Sequence, residues 1–449
     1  MAIRRDKNIQ IQKVKYAPPP PDLPIYGRGD PANASFIGRT NYVAALEEKK
    51  FVFGIKRVDR KRHMYVVGKG GVGKSKLLEV LLRQDIANGH GVCLIDLHGD
   101  VIESLLNFIP EERVRDVVLI DLSSDEGLVA FNPFHGVEPS LRQAFVQGML
   151  DSMKRLLGDH WGPQLEHVLR FSILALLDFP DATLRGLLSM LTDATYRSRV
   201  VALVQDELVK NFWMQDFDKW ADKFRADAVI PTVTKLSQIF SDPLLSRMLS
   251  NPQNKINFNT FMKERKIVFV HLATDKIGEE NASFVGSLFI TQLKQAGMLR
   301  RGKEAEKDFY VYIDDFHALT TDALRQFLSD ARKYGICFTI SHQYLGQLSE
   351  DFQASVLGNV GTIVVFRVTG EDASALRSEM SPVFDIKDMT NLGVQEFYIR
   401  MIIDGEAQDP FSAETLRVLA PPHAPFVSAI RRASAETYGV SSQVTSENL

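Results

Sequence analysis

One glycine-rich segment constrains the fold of this chain more than any other feature. The apolar run Met64–Val67 leads into Gly68-Lys-Gly-Gly-Val-Gly-Lys74-Ser75, and a helical pattern follows and ends at Gly89. Glycines at these positions let backbone N–H groups converge on phosphate oxygens, and the start of the helix adds a partial positive charge. The pattern therefore predicts a strand–loop–helix unit that binds the phosphates of a nucleotide.

The polar side chains of this loop have separate predicted roles. Lys74 would reach the β- and γ-phosphates of ATP, and the Ser75 hydroxyl would bind Mg²⁺. A glycine-rich turn that binds no ligand is the alternative, and the flanking strand and helix argue against it. The residues predicted to bind the nucleotide are Gly68, Lys69, Gly70, Gly71, Val72, Gly73, Lys74 and Ser75.

Composition and charge exclude several classes of protein. Of the 449 residues, 45% are hydrophobic and 24% are charged, which is typical of a globular chain and not of a disordered one. With 53 Lys+Arg against 56 Asp+Glu, the chain is not a uniformly basic nucleic-acid coat, although a basic channel or loop is compatible with this balance. Two cysteines cannot form a disulfide framework, and the histidines show no zinc-ligand spacing.

The distribution of apolar residues does not favour a membrane protein. No apolar stretch approaches the ~18 residues that a membrane span requires. The chain starts with Met-Ala-Ile-Arg-Arg-Asp, which is not the pattern of a signal peptide. We therefore expect a cytoplasmic protein without an intrinsic membrane span.

Short apolar runs with β-type composition recur along the chain and alternate with helical patterns. The helical patterns include Lys74–Asn88, Glu280–Met298 and Thr321–Lys333. Apolar strands that alternate with helices are typical of a mostly parallel sheet covered on both faces, so the predicted fold class is α/β. The predicted strands are Met64–Val67, Val92–Ile95, Val117–Ile120, Ile267–Leu272, Phe309–Ile313, Ile336–Ile340 and Thr362–Phe366.

A long stretch between two groups of these strands has a different pattern. Residues 139–263 show helical periodicity and no β-type run, so we interpret them as an all-helical domain. This domain would be inserted into a motor domain that comprises residues 37–138 and 264–425. Residues 1–36 are basic and then proline-rich, and they are predicted to form an extended, unpacked arm. Residues 426–449 are predicted to be a disordered tail.

Two acidic residues follow the predicted strand Phe309–Ile313. In an ATPase with this type of loop, a carboxylate at the end of another strand holds Mg²⁺, and a second group activates the attacking water. Asp314 is the candidate for Mg²⁺ and Asp315 for the water, with a helix-capping role for Asp315 as the alternative. Asp96 also ends an apolar strand and is expected near the nucleotide, as a weaker candidate for the metal ligand.

Two further polar residues are candidates for the same site. Gln343 follows the predicted strand that ends at Ile340, where an amide can sense the γ-phosphate or orient water; a surface turn is the alternative. Arg332 comes near the far end of the helical pattern that follows Asp315, where its charge could instead stabilise the end of that helix.

Several separated motifs together resemble one specific group of proteins. The motifs are Arg60-Lys-Arg-His63, Gln84-Asp85-Ile86, Asp96-Leu-His-Gly-Asp100, Phe131-Asn-Pro-Phe134, Lys266-Ile-Val-Phe-Val-His-Leu272, Asp314-Asp315-Phe316 and Phe366-Arg367-Val368. This ordered set resembles the HerA–FtsK superfamily of DNA-pumping ATPases and, within it, the type IV secretion coupling proteins, which are the TraG/TraD-like conjugative DNA-transfer ATPases. The resemblance covers residues 37 to 420.

This resemblance implies a RecA-like P-loop motor domain with a helical insertion, a hexameric ring and ATP-driven movement of DNA through a central channel. A relaxase or a secretion channel would be the partner. Lys74 and Ser75 match the Walker A pair, and Asp314 matches the Walker B aspartate. Gln343 matches the sensor glutamine, and Arg332 matches the arginine that reaches the neighbouring subunit's site.

The sequence also departs from the family pattern. Lys69-Gly-Gly-Val stands where the family usually has Thr-Gly before the last Gly-Lys, Asp315 stands where a glutamate is usual, and Leu97 replaces a usual proline. The membrane-spanning segments of the secretion coupling proteins have no counterpart here. We therefore expect a soluble relative, or a motor that a partner recruits to the membrane.

A rival class of proteins shares the loop pattern. Lys69-Gly-Gly-Val-Gly-Lys74-Ser75 also fits the deviant Walker A loop of ParA/MinD partition ATPases, which are ATP-dependent dimeric switches. Partition ATPases are compact, whereas here Asp314 and Asp315 come far beyond the loop, after a helical insertion. The motor interpretation is therefore preferred, with the dimeric switch as the alternative.

Overall fold

The structure is a computed structural model. It describes residues 14–28, 33–42, 50–220, 222–300, 302, 307–417, 419–421 and 425–439. Within these residues the strands are β1 (Ala34–Thr40), β2 (Val52–Lys56), β3 (Met64–Val67), β4 (Gly91–Asp96), β5 (Val117–Asp121), β6 (Ile267–His271), β7 (Phe309–Ile313), β8 (Ile336–His342), β9 (Thr362–Val365), β10 (Glu396–Arg400), β11 (Ile402–Ile403), β12 (Glu406–Ala407) and β13 (Phe411–Thr415).

The α-helices of the described residues range from single turns to a helix of 21 residues. None of them is both long and apolar enough to cross a bilayer. They are α1 (Arg57–Arg60), α2 (Lys74–Ala87), α3 (Asp100–Leu106), α4 (Arg142–Leu157), α5 (Pro163–Leu176), α6 (Leu184–Thr192), α7 (Ala194–Leu203), α8 (Glu207–Asn211), α9 (Asp222–Ser241), α10 (Pro243–Leu249), α11 (Phe258–Lys263), α12 (Thr274–Ile277), α13 (Glu279–Leu299), α14 (Asp322–Asp330), α15 (Glu350–Asn359), α16 (Gly370–Ala375), α17 (Arg377–Met380), α18 (Ile386–Thr390) and α19 (Val427–Tyr438).

The chain divides into two compact units, and the first comprises residues 1–84 and 339–419, so that the boundary falls within β8. Its strands lie in the order β2-β1-β13-β10-β9-β3-β8. β3 pairs in parallel with β8 and β9, whereas the other neighbours pair antiparallel. Because β3 lies between two parallel strands, all of its residues are buried, as a continuous apolar run predicts.

The second unit comprises residues 85–338 and 420–449. Its strands lie in the order β7-β4-β6-β5, and all of these neighbours pair in parallel. Ile95 of β4 is level with Ile313 of β7, so both strands end at the same sheet edge. The seven predicted strands are β3 to β9, and the prediction of a mostly parallel sheet is confirmed for them within each unit.

The antiparallel strands of the first unit were not predicted. β1 and β2 are partly exposed, and glycines Gly38 and Gly54 interrupt their apolar patterns. At both positions the backbone needs glycine, because a Cβ atom would lie 2.8 Å from the ring of Phe397 at Gly38 and 2.5 Å from the Ser35 carbonyl oxygen at Gly54. These strands are therefore defined by their partners rather than by a period in their own sequence.

Between residues 139 and 263, every regular element that the structure describes is helical, as predicted. Thr183 caps the start of α6, because its hydroxyl accepts a hydrogen bond from the Gly186 N–H at 3.0 Å. α4 packs closely on α13 because Gly148 leaves room, since a Cβ atom there would lie 2.5 Å from Cγ2 of Thr291. This helical part falls within the second unit, and the boundaries given for it remain a prediction.

The N-terminal segment is extended, but it is packed where the structure describes it. Ala17 and Leu23 are buried, and the Ala17 N–H donates to the Ser412 hydroxyl at 3.0 Å. The interpretation of an unpacked arm is therefore wrong for residues 14–28, because apolar residues among the prolines contact the strands of the first unit. Residues 1–13 lie outside the described residues.

A helix, α19, stands where a disordered tail was predicted. The Ser434 hydroxyl accepts a hydrogen bond from the Leu119 N–H of β5 at 2.9 Å, and Arg431 forms an ion pair with Asp121 at 3.1 Å. The small polar residues that suggested disorder instead let the helix lie close to the edge strand. The prediction is wrong for α19, and residues 440–449 lie outside the described residues.

Candidate nucleotide-binding and hydrolysis site

The phosphate loop, Gly68–Ser75, joins β3 to α2 in a conformation that requires its glycines. Gly71 and Gly73 have φ angles of +72° and +119°, which L side chains rarely adopt. At Gly68 a Cβ atom would lie 2.6 Å from Cβ of Phe366, so a larger residue does not fit there. The loop thus has the compact glycine backbone that lets N–H groups converge on phosphates.

Lys74 is the buried side chain of the phosphate loop. Only 7% of its surface is exposed, and its ammonium group donates to the carbonyl oxygens of Gly68 at 2.8 Å and of Lys69 at 3.0 Å. These contacts hold a positive charge against the inner side of the loop, where a phosphate would bind. Ser75 follows directly and is exposed at the start of α2.

Two segments from elsewhere in the first unit support the loop. The Lys69 N–H donates to the Arg367 carbonyl oxygen at 2.9 Å, and the Gln395 N–H donates to the Val72 carbonyl oxygen at 2.8 Å. Gln395 has a φ of +66°, an unusual conformation for a residue with a side chain. Arg367 belonged to a motif noted in the sequence, whereas nothing in the local sequence pointed to Gln395.

Gln343 lies at the same sheet edge as the phosphate loop. Val67 of β3 is paired in parallel with His342 of β8, so the chain leaves both strands at that edge. The Gln343 N–H donates to Oε1 of Gln347 at 3.3 Å, and the Gln343 side chain is half-buried. The structure therefore places Gln343 where the sequence predicted it, and its role as a sensor remains a prediction.

The acidic turn, Asp314–Thr320, follows β7 in the second unit. Asp314 is buried, and its N–H donates to the Ile95 carbonyl oxygen at 3.1 Å. Asp315 has a φ of +51°, and its N–H donates to Oδ1 of Asp314 at 3.1 Å. A left-handed residue with a side chain is costly and persists where the surroundings fix it, which is common at functional sites.

Asp96 ends the neighbouring strand β4, but its carboxylate serves a structural purpose. It accepts hydrogen bonds from the N–H groups of His98 at 3.0 Å and of Val101 at 3.1 Å, and so it caps the start of α3. Burial raises the pKa of Asp96, and the nearby charge of Asp314 adds to this effect. These contacts favour Asp314 over Asp96 as the metal ligand.

Two histidines lie beside Asp315, and no motif had assigned them a role. Nε2 of His98 is 3.8 Å from Oδ2 of Asp315, and Nδ1 of His317 is 4.0 Å from Oδ1. Burial lowers the pKa of His317, although the charge of Asp315 acts in the opposite direction. The sequence spacing could have indicated these histidines, because His98 comes two positions after Asp96 and His317 comes two positions after Asp315.

Arg155 connects the helical part to the acidic turn. It comes from α4, and its guanidinium donates to the carbonyl oxygens of Thr320 at 2.9 Å and of His317 at 3.3 Å, and to the Ser283 hydroxyl. Burial lowers the pKa of Arg155. One half-buried guanidinium thus fixes two carbonyl groups of the turn that carries Asp315.

Arg332 is not near Asp315 within the second unit. It is exposed in the 3₁₀ turn Ala331–Tyr334, which follows α14. α14 begins directly after the acidic turn, and its 9 residues span about 13 Å. The structure therefore places Arg332 at the far end of the helix, as the sequence indicated.

The residues predicted to hold Mg²⁺, Ser75 and Asp314, both offer oxygen, which this ion prefers. Within the part of the chain that the structure describes, no three His, Cys, Asp or Glu side chains form a group that could hold a metal ion. Mg²⁺ in phosphate-binding sites usually has one or two protein ligands beside water and phosphate oxygens. The donor chemistry of each of these two residues therefore fits Mg²⁺, and their binding of one ion remains a prediction.

Comparison with known families decides the assignment. The family described as the type IV secretion-system coupling protein DNA-binding domain matches residues 53–392. The chain belongs to this family. A search of curated proteins finds no match. The predicted resemblance to type IV secretion coupling ATPases of the HerA–FtsK type is thereby confirmed.

Solved structures of one coupling protein are similar to this chain. The bacterial conjugative coupling protein TrwBΔN70, in its unbound form, is 14% identical with a TM-score of 0.62, over 83% of this chain and 89% of that chain. The plasmid coupling protein TrwB in complex with GDPNP is 14% identical with a TM-score of 0.63, over 83% and 90%. TrwB in complex with ADP and Mg²⁺ is 14% identical with a TM-score of 0.62, over 83% and 89%.

These similarities show the fold, which is that of a RecA-like P-loop NTPase with a large, mostly parallel sheet and helices. As a member of the coupling-protein family, the chain is a DNA-transport motor of conjugation and type IV secretion. The rival interpretation, a partition-type dimeric switch, is not favoured.

Proposed function

We propose that this coupling protein hydrolyses ATP with residues of the phosphate loop and the acidic turn, and that hydrolysis drives DNA through a hexameric ring. The observation that carries the proposal is Lys74, whose buried ammonium group is held inside a glycine loop of the phosphate-binding type. The TrwB complexes with GDPNP and with ADP and Mg²⁺ support nucleotide binding, and the DNA-binding description of the family supports DNA as the cargo.

In this proposal each residue has a distinct role in phosphoryl transfer. Lys74 stabilises the charge that spreads over the transferred phosphoryl group. Ser75 and Asp314 would hold Mg²⁺, and the ion would neutralise charge on the phosphate oxygens. Asp315 accepts a proton from the attacking water, and Gln343 orients that water or senses the γ-phosphate. The remaining loop residues, Gly68 to Gly73, surround the phosphates.

The assembly around the site is also part of the proposal. Arg332 would act on the nucleotide of the neighbouring subunit, because the length of α14 separates it from Asp315 in its own chain. A relaxase or a secretion-channel component would deliver the DNA and recruit the motor from the cytoplasm to the membrane. The domain boundaries given above would separate the motor from its helical insertion.

The experiment that tests the function measures ATP hydrolysis without DNA, with single-stranded DNA and with duplex DNA. We expect DNA to stimulate turnover, and DNA binding to weaken steeply with salt, because neutralised phosphates release counterions. Little preference for base sequence is expected, since a motor must hold every step of its track. Turnover that no nucleic acid stimulates, or DNA binding that salt does not weaken, would contradict the proposal.

A further inference from the structure

A short loop brings His98 beside Asp315 in the second unit. The Asp96 carboxylate accepts the His98 N–H at 3.0 Å, and Gly99 turns the chain with a φ of +87°. No larger residue fits at Gly99, because a Cβ atom there would lie 2.5 Å from Nε2 of His271. The backbone on both sides of His98 is therefore fixed, while its side chain remains 59% exposed.

Thr274 contacts one nitrogen of His98. The Thr274 hydroxyl oxygen lies 3.1 Å from the Leu97 carbonyl oxygen and 3.2 Å from Nδ1 of His98, so when the hydroxyl donates to Leu97 its oxygen is the acceptor for a proton on Nδ1. A neutral imidazole that donates from Nδ1 has a lone pair on Nε2. Nε2 is the atom that faces Oδ2 of Asp315 at 3.8 Å.

Two acceptors at this distance do not form a direct hydrogen bond, because such bonds end near 3.2 Å. A water molecule satisfies both, since it donates one hydrogen to each acceptor and keeps its oxygen lone pairs exposed. The other oxygen of Asp315, Oδ1, lies 4.0 Å from Nδ1 of His317. Oδ2 of Asp315 and Nε2 of His98, at 3.8 Å, are the two acceptors that one water can bridge.

We propose that His98 is the second acceptor for the attacking water, and that it compensates for the short side chain of Asp315. The family resemblance places a glutamate at position 315, whose extra methylene group would reach the water by itself. The proposal rests on the proposed ATP hydrolysis and adds a residue to it. His98 contacts the reacting water directly, and Thr274 is a positioning residue that acts through His98.

The chemical step is a hydrolysis that both acceptors direct. The water oxygen forms a bond to the γ-phosphorus while the bond from that phosphorus to the β–γ bridging oxygen breaks, and ADP leaves with the electron pair. One proton of the water passes to the Asp315 carboxylate. The second hydrogen stays on the oxygen and is held by Nε2 of His98, so the lone pair used for attack points away from both side chains.

The test is a double-mutant cycle on ATP turnover, with nucleotide binding measured in parallel. His98→Ala should lower kcat by about 10- to 100-fold, within the range of general acid–base contributions, and leave the affinity for Mg·ATP unchanged. In an Asp315→Glu background the same change should cost less than about 3-fold, because the longer side chain no longer needs His98. His160→Ala, which removes an exposed histidine of the helical part, is the matched control and should retain turnover.

Thr274 gives a second, independent measurement. Thr274→Val removes the Nδ1 acceptor and should lower kcat more than Thr274→Ser, which keeps the hydroxyl, with no change in nucleotide affinity. A His98→Ala variant with wild-type kcat would overturn the inference, and so would an equal loss from His98→Ala in the unmodified chain and in the Asp315→Glu background. Absence of Lys74-dependent turnover in the unmodified chain would overturn the proposed function as well.

Discussion

The phosphate loop and the acidic turn are built in different ways. The phosphate loop is shaped by its own glycines, and its contacts to Arg367 and Gln395 run through the backbone. The acidic turn contains no glycine, and a distant side chain, Arg155, fixes two of its carbonyl groups. A conformation encoded locally tolerates change elsewhere in the chain, whereas one that depends on distant side chains can be altered from outside the site.

This difference has a consequence for a motor. A structural change in the helical insertion can alter the acidic turn, because Arg155 of α4 donates hydrogen bonds to it. The backbone contacts that support the phosphate loop come instead from Arg367 and Gln395 of the first unit. We therefore expect substitutions in the loop to act mainly on nucleotide chemistry, and substitutions around the turn to combine effects on chemistry and on stability.

The largest effect is expected at the loop. Lys74→Ala should lower ATP turnover by at least about 10³-fold, because it removes the charge that stabilises the transferred phosphoryl group. The fold should remain intact, because the glycines set the loop backbone, although the carbonyl groups of Gly68 and Lys69 lose their ammonium donor and the melting temperature should fall slightly. Steady-state hydrolysis and a melting curve test both statements. Wild-type turnover with unchanged nucleotide binding would contradict the assignment of the loop.

A loss of similar size is expected at the far end of α14. Arg332→Ala should retain nucleotide binding and lose hydrolysis by about 10³-fold, the lower range for arginine fingers. Mixing Arg332→Ala subunits with Lys74→Ala subunits should restore part of the activity, because some interfaces then pair an intact Lys74 with an intact Arg332. If mixed rings form and remain inactive, Arg332 does not act between subunits and its charge serves the helix end.

An intermediate effect is expected where the insertion contacts the acidic turn. Arg155→Ala should destabilise the fold by about 1–3 kcal/mol, because it removes the guanidinium donor of the part-buried Thr320 carbonyl and one of the two donors of the His317 carbonyl, and it should also lower kcat. Arg142→Ala is a matched control, since Arg142 pairs with Asp178 in the helical part, away from the turn. Equal losses of kcat in both variants would show a general effect of stability rather than control of the turn.

The features that the sequence predicted are those encoded locally, and the features that it missed depend on distant contacts. Seven strands, the phosphate loop and the position of Asp314 were predictable, because continuous apolar runs and a glycine pattern are local signals. β1, β2, β10 and β13 were not, because these strands are defined by antiparallel pairing with one another and with β9 rather than by a long continuous apolar run. His98, Thr274 and Arg155 were missed for a related reason: each has its role through a contact with a residue from another element.

The smallest effect is expected for Lys69→Ala, and this variant distinguishes the motor from the partition ATPases that share its loop pattern. Lys69 is exposed, and its visible contribution to the loop is through the backbone, whose N–H donates to Arg367 and whose carbonyl accepts from Lys74. Lys69→Ala keeps both backbone groups, so turnover should fall by less than about 3-fold, a loss of under ~1 kcal/mol in transition-state stabilisation. In a partition-type dimer the same lysine would supply charge to the partner's phosphates, and the loss would be as severe as for Lys74→Ala.

Parallel assays of ATP turnover in Lys69→Ala and Lys74→Ala therefore distinguish the two classes. A collapse of activity in Lys69→Ala, together with two-fold particles in the presence of ATP, would favour the dimeric switch.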